Sequence, residues 1–510
     1  MEIQRLLFTL GRDEKNMEAE AAFQLASPRR RLLFSHDIDG RDAKWIFLRV
    51  YDPAGRLRFQ KQLSFSSPVI CLGQGPMETT MGGIPGELPA GEWRLCFAAY
   101  PDNARSMAER GGITFSVTVS DAGAMPAEPI GENLWADINF DYTGYDFHKI
   151  YRRGKGWYMG DFHTHTQLSD GEELPSRAME KARFMHMDFY TPTEHNAVHT
   201  GWPATDLLIL PGVEATSPLG HANLFGLDRI PDGLDRLVTA REKDGAEVAE
   251  VMEGLVRQCK ERGWLFSINH PYLYTWKWLY GDMALSNVNC LEIINDPTYA
   301  ADPEAQAEEA NRKAVCLADC LWADGYRICA IGGSDSHRRI DEPYPGAGEP
   351  SIPGDPATWL HMGSLSPEHL LKVLKDCRCY VTRHCRVESE IRALDSDGRL
   401  LREVTFGDIL SRDTRKVSAS LTFSGLSAEP KVFAVFNGKR LELPVGREDG
   451  KYTVQTVISL VQTPYEWLRF GAETAEGDFL FYGNPLTKGK KKHQFHYFRD
   501  TEGYIDHNEY

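Results

Sequence analysis

Ile113, Phe115, Val117 and Val119 alternate with Thr114, Ser116, Thr118 and Ser120, the pattern of a half-buried strand. Turn signals at Asp52-Pro53-Ala54-Gly55 and Pro89-Ala90-Gly91 separate apolar runs such as residues 93–100. Short strands with regular turns predict a small β-sandwich over residues 1–125. Residues 121–133, with their Ala, Gly and Pro, mark a linker, placed at 126–155 in the domain division.

From about residue 157 the pattern changes. Helical periodicity over 176–187, 247–262 and 304–324 alternates with strand-like runs over 189–193, 207–213, 223–226, 264–269, 288–294 and 327–331. Such alternation implies an α/β domain over 156–385, built on a parallel sheet or a barrel. After Cys385 the chain returns to β. Val417, Ala419, Leu421 and Phe423 alternate with polar residues, and Asn437-Gly438 and Asp449-Gly450 are hairpin signals. A second β-sandwich is expected over 386–487. Residues 488–510, with Lys490-Lys491-Lys492, predict a solvated or loosely docked tail.

Composition narrows the class. A chain of 510 residues is too long for one ordinary core and suggests about two to four domains. Its 42% hydrophobic and 25% charged content describes a soluble globular protein. No run approaches the ~20 apolar residues of a membrane span, and the N-terminus lacks the pattern of a secretory signal. The ten cysteines are scattered without a CxxC pair, so free thiols in the cytoplasm are expected. A net charge of −16 argues against a broad surface for nucleic acid. It is compatible with a small anionic substrate, because bound cations invert the local charge.

The candidate chemistry lies in the middle region. His163 and His165 sit two apart at the end of an apolar run, which on a strand puts both rings on one face. Asp170 follows closely. His195, Glu214, His270, Asp335 and His337 each come just after a predicted strand, and His221 opens one. In parallel α/β barrels the strand C-terminal ends form one face, where sites are built. Singly each residue has an ordinary explanation, such as a turn histidine for His270 or a helix cap for Asp335. Jointly, nine His and carboxylate residues exceed what one ion takes and suit two or three.

The ordered set His163-Thr164-His165, Ser169-Asp170-Gly171, Thr193-Glu194-His195-Asn196, Gly212-Val213-Glu214, Gly220-His221, Asn269-His270-Pro271 and Gly333-Ser334-Asp335-Ser336-His337 resembles the polymerase-and-histidinol-phosphatase (PHP) superfamily of metallohydrolases. Within it the likeness is to the stand-alone carbaryl-hydrolase-like branch. The resemblance covers residues 157–385 and implies a distorted (βα)7 TIM-like barrel, flanked here by the two β-sandwiches, with a di- or trinuclear centre. By position, His163, His165, Glu214 and Asp335 would hold one ion. Glu214 would bridge to a second on His221 and His270, and Asp170, His195 and His337 would hold a third. Zn, Mn and Fe all accept such ligands. Glu194 departs from the family, which usually has Asp there. Its extra methylene bears on how His195 is oriented, and so on the third ion.

Glu214, Asp335 and Arg338 are the candidate catalytic residues. Arg338 and Arg339 follow His337 and are placed to bind a substrate anion, or are ordinary surface arginines. Tyr272, Tyr274, Trp276 and Trp278 line a pocket or, as the stronger reading, pack beneath a loop. Glu292 and Asn295 end another strand on the same face. The implied function is hydrolysis of a small phosphate ester by water activated on metal, which drops from a pKa of about 16 to about 7. An amide, carbamate or ester hydrolase using the same ions is the alternative. A β-sandwich binding protein with a vestigial metal site is the non-enzymatic one. The expected partner is a small phosphorylated molecule, with no nucleic acid and no membrane. A homo-oligomer stays open, because the β domains either shape the barrel mouth or build a dimer interface.

Overall fold

The computed structural model describes residues 2–13, 17–240 and 245–505. At the N-terminus two four-stranded antiparallel sheets face each other. One orders Glu2–Leu10, Ile113–Ser120, Leu32–His36 and Val69–Leu72; the other orders Glu18–Leu25, Gly91–Ala99, Ile46–Tyr51 and Leu57–Gln62. Alternate residues of both turn inward, and Phe8, Phe97 and Phe115 form the centre with ring separations of 4.7–5.4 Å.

The middle region is mixed α/β. Arg152–Thr164, Phe189–Pro192 and Leu208–Ile209 run parallel, and Ala357–Leu365 pairs antiparallel with the first. A second sheet orders Gly212–Ser217, Gly220–Phe225, Leu265–Ile268, Cys290–Asn295 and Cys329–Gly333. Helices Pro175–Phe184, Gly245–Arg262 and Ala307–Ala323 alternate with these strands, each burying one apolar stripe. The ladders do not form one continuous (βα)7 barrel. They form two arcs, joined at one end by isolated bridges from Thr164 to Ser336 and from His195 to Glu214. Gly212–Ser217 and Gly220–Phe225 are antiparallel, because the two residues Pro218 and Leu219 between them can turn a hairpin but cannot make a crossover.

Three expectations about the flanks need correction. The 126–155 segment is packed rather than a free linker. Asn133–Leu134 pairs with Gly201–Trp202, Trp135 stacks on Trp202 at 6.1 Å, and Phe140 and Tyr142 are buried. The 386–487 region is not a self-contained sandwich. One of its sheets, Arg386–Leu394 with its neighbours, is its own. The other continues the sheet of Arg152–Thr164, since Cys379–Thr382 pairs with Phe479–Gly483. The 488–510 tail is docked as far as it is described. Phe495 and Phe498 enter the main core and His493 stacks on Tyr326 at 3.8 Å, so apolar burial overrides the lysine run. Among the described residues no helix is long and apolar enough to cross a membrane, and all ten cysteines are free thiols.

Candidate metal centre

Glu214 is the hub. It lies on Gly212–Ser217 with no solvent exposure. Its Oε1 is 3.2 Å from His163 Nε2, 3.2 Å from His221 Nδ1 and 3.3 Å from His270 Nε2. Its Oε2 is 2.8 Å from His195 Nδ1 and 3.6 Å from His165 Nε2. Asp335 Oδ1 stands 3.0 Å from His165 Nε2, 3.2 Å from His163 Nε2 and 3.5 Å from His337 Nδ1. Asp170 Oδ1 is 3.4 Å from His195 Nε2 and 3.3 Å from His337 Nε2. Strand ends from both arcs thus bring all nine sequence-derived residues into one cluster.

Several of these atoms are buried without a hydrogen-bond partner: Nε2 of His163 and His165, Oδ1 of Asp170 and Asp335, and Oε2 of Glu214. A buried polar atom left unpaired costs about 1–3 kcal/mol. Their ligand atoms also fall into compact sets: His165, Asp170, His195 and His337; His163, His165 and Glu214; His163, His270 and Asp335; and His195, Glu214 and His221. Imidazole and carboxylate donors converging this way fit borderline divalent cations.

Backbone strain accompanies the cluster. Asn196, His270, Asp296 and Asp335 have φ of 51°, 24°, 26° and 49°. Left-handed backbone at a non-glycine residue costs about 1–3 kcal/mol and persists where surroundings impose it. All four lie just past the C-terminal end of a strand.

Residues behind the cluster set its orientation. Glu292 Oε1 lies 3.0 Å from His163 Nδ1, while its Oε2 accepts from the His270 amide at 2.9 Å and from Asn295 Nδ2 at 3.0 Å. Asn295 Nδ2 also donates to Asp335 Oδ2 at 3.1 Å. Fixing one ring nitrogen leaves the other bare toward an ion. Gly333 is obligatory here, because a Cβ would overlap both Glu292 and His163. Glu194 does not face the cluster. It accepts from the Thr166 amide at 3.1 Å and from Ser169 Oγ at 2.5 Å, and lies 2.8 Å from His199 Nε2, so it braces the loop that carries His165 and Asp170. Thr216 Oγ1, 2.6 Å from His195 Nδ1, orients that ring instead.

The chain matches no protein-family model and no curated protein. Among solved structures it is similar to a two-domain protein from Bacteroides vulgatus containing a predicted PHP-like metal-dependent phosphoesterase, at 18% identity and a TM-score of 0.33 over 67% of this chain and 99% of that one. It is also similar to PsfC from Pseudomonas syringae, at 17% identity and a TM-score of 0.28 over 43% and 90% of the two chains. A candidate metal-dependent phosphoesterase from Bifidobacterium adolescentis gives 13% identity and a TM-score of 0.26 over 42% and 94%. At such scores the likeness decides neither the fold nor the chemistry.

The protonation pattern is uneven. Burial, then His337 and His195, push His165 down to about 4. Burial likewise brings His221 to about 4, against the pull of Glu214. For His337 burial opposes charge, but Asp170 and Asp335 outweigh it and lift it to about 10. His163 and His195 are raised for the same reason, by Asp335, Glu292 and Glu214 in one case and Asp170 and Glu214 in the other. His163 and His337 therefore hold protons at neutral pH without metal, His195 is shifted the same way, and a coordinating nitrogen must lose its proton. Divalent-ion affinity should rise with pH through about 10, where His337 gives up its proton. Binding at neutral pH should release protons, chiefly from His163 and His337, countable by calorimetry in buffers of different ionisation enthalpy. Zero release would mean that the carboxylates do not hold these rings charged. In the metal-free protein His337 stabilises the fold fully below its ordinary 6.5, and that contribution disappears as pH rises through about 10.

Arg338 does not join the cluster as a substrate-binding group. It pairs with Glu172 at 3.2 Å and Glu342 at 3.6 Å, and Arg339 pairs with the same acids at 3.8 and 3.5 Å. Glu172 is far in sequence, which is why local reading left both arginines free. Trp278 packs into the core beside Phe266, as the packing reading expects. Trp276, Tyr299 and Tyr344 form an edge-to-face series, and Tyr344 donates to Asp296 at 2.9 Å. A separate cavity of about 660 Å³ opens beneath Trp157, Trp359 and His384. Glu349 and Asp355 on its rim both pair with Arg383, at 2.5 and 2.8 Å, so the two carboxylates share one guanidinium.

Proposed function

We propose that this protein is a metal-dependent hydrolase of small phosphate esters, of the carbaryl-hydrolase-like branch of the PHP superfamily. The observation that carries it is the set of buried, unpaired donor atoms of His163, His165, Asp170, Glu214 and Asp335. On this reading the two arcs are a distorted (βα)7 barrel closed at its rim by the Thr164–Ser336 and His195–Glu214 bridges. His163, His165, Glu214 and Asp335 would hold one ion, Glu214 with His221 and His270 a second, and Asp170 with His195 and His337 a third.

Divalent ions so held supply Lewis acidity toward a phosphoryl oxygen and make water acidic enough to ionise near pH 7. The protein does the rest. Glu292 and Asn295 keep His163 and Asp335 aimed inward. Glu194 holds the Thr166–Ser169 loop rigid. His337, at 25% side-chain exposure, is the most open of the ring ligands and marks the side from which substrate enters.

The test is elemental analysis of the purified chain, then assay of p-nitrophenyl phosphate and an aryl carbamate with Zn, Mn and Fe. About two to three ions per chain and chelator-sensitive phosphatase activity are expected. Turnover of the carbamate alone would replace phosphoesterase by carbamate hydrolase. Less than one ion per chain would remove the hydrolase altogether.

A further inference from the structure

The N-terminal sheet carrying Ile46–Tyr51 has two buried faces. Ile46, Leu48 and Val50 enter the sandwich core. Phe47 turns the other way and packs with Leu168, Ala197 and Val238, all from the metal-bearing region. Strand alternation puts Arg49 on the Phe47 face, and its guanidinium stacks over the Phe47 ring at 4.9 Å. Arg49 is 8% exposed. Among the described residues it has neither a carboxylate partner nor a hydrogen bond. Its neighbours on Leu57–Gln62 differ: Arg58 pairs with Asp52 at 3.6 Å and Lys61 with Glu128 at 3.0 Å. Buried charges are normally paired. None of its nitrogens is sealed from solvent without a partner, so this guanidinium is open to a ligand anion.

What lies beside it points to the source. Tyr100, just past Gly91–Ala99, receives a hydrogen bond from Asn196 Nδ2 at 3.4 Å. Asn196 grips Thr216 through both side-chain atoms, at 2.9 and 3.0 Å, and Thr216 holds His195. Tyr100 packs against the cluster of Phe47, Leu168 and Ala197, and burial raises its hydroxyl well above the ordinary phenol value, so it stays a neutral donor. The N-terminal sheet thus sets one cation and one hydroxyl against the segments that flank Asp170 and His195. The arginines expected in that role, Arg338 and Arg339, are matched by Glu172 and Glu342.

We infer that Arg49, with the Tyr100 hydroxyl beside it, receives a second anionic group of the substrate at the metal centre. This rests on the phosphoesterase reading and narrows it. The substrate would be a phosphate ester carrying a further carboxylate or phosphate. A guanidinium binds either group with two parallel hydrogen bonds, and its partly desolvated setting strengthens them. The N-terminal β domain is then part of the site and selects the substrate.

Calorimetry on the manganese-loaded full chain tests this with two probes that are not hydrolysed, phosphonoacetate and methylphosphonate. Wild type should bind phosphonoacetate about tenfold or more tighter. Arg49→Met, which keeps the apolar stem over Phe47, should bring that ratio near one. Tyr100→Phe should lower it partway. Arg94→Met should keep it, since Arg94 lies on the same sheet but pairs with Glu20 at 3.0 Å. Melting curves and metal content establish that each variant is folded and loaded. If Arg49→Met does not fold, Arg49→Lys reads the same ratio, which should fall because an ammonium lacks the two-pronged geometry. A wild-type ratio near one, or a ratio unchanged at position 49, overturns the inference. Arg49-dependent binding without hydrolysis of any phosphate ester would reject the phosphoesterase and leave the anion receptor. Hydrolysis without Arg49 dependence would do the reverse.

Discussion

Glu214→Gln should cut bound metal by more than half and lower kcat/KM by about 10³-fold or more. The substitution keeps volume and shape, so packing hardly changes. It removes the one negative charge shared by His163, His165, His195, His221 and His270. It also turns an acceptor into an amide donor, so an N–H would face the very ring nitrogens that should meet an ion. His163 and His195 lose a carboxylate that raises them, so fewer protons should be released when metal binds. Asn269 Nδ2, which donates to Glu214 Oε1 at 2.9 Å, loses a charged acceptor. Elemental analysis, calorimetry and steady-state kinetics on one preparation check all three effects. Full metal content with full activity would show that Glu214 is no ligand.

Asp319→Ala should destabilise the protein by about 3–5 kcal/mol. Asp319 lies on helix Ala307–Ala323 and Arg469 on strand Tyr465–Glu473. They meet through two hydrogen bonds of 2.7 and 2.6 Å, with side-chain exposures of 1% and 5%. Tyr482 donates to the same carboxylate at 3.0 Å and stacks under the guanidinium at 4.5 Å. Removing the aspartate strands a buried cation, which costs far more than the pair contributes. Asp319→Ala with Arg469→Met should therefore recover much of the loss, because an apolar pair is nearly neutral there. Urea unfolding measures both. A single-variant loss below about 1 kcal/mol would mean the pair is solvated. The same helix leads to Cys329–Gly333 and so to Asp335, so the single variant should also hold metal less tightly.

Much of the cluster was legible because its ligands occupy strand ends. A short apolar run followed by His or a carboxylate is a local pattern, and it marks His195, Glu214, His270 and Asp335 without any knowledge of what they face. Glu292 and Asn295 were read at the end of a strand on the same face, as a polar lining or a hydrogen-bond partner of a ligand histidine; that Glu292 braces His163 in particular depends on the parallel pairing of Cys290–Asn295 with Cys329–Gly333. The pairing of Arg338 was hidden for the converse reason. Its charge was plain, but Glu172, which matches it, comes from another loop. The linker and tail were read from short stretches, the Ala, Gly and Pro of 121–133 and the lysine run at 490–492. A few aromatics, Trp135, Phe495 and Phe498, decide their fate by burial.

Donor types, their order along the chain and the alternation of strands with helices follow from the sequence alone, because each depends on neighbours a few residues apart. Which imidazoles share Glu214, which acids match the arginines, and that Arg49 of the N-terminal sheet stands near Tyr100 and the centre were decided by tertiary packing. Those relations join segments far apart in the chain. The docking of one apolar face on another, Phe47 against Leu168 and Ala197, is what brings the N-terminal sheet against the segments that flank Asp170 and His195.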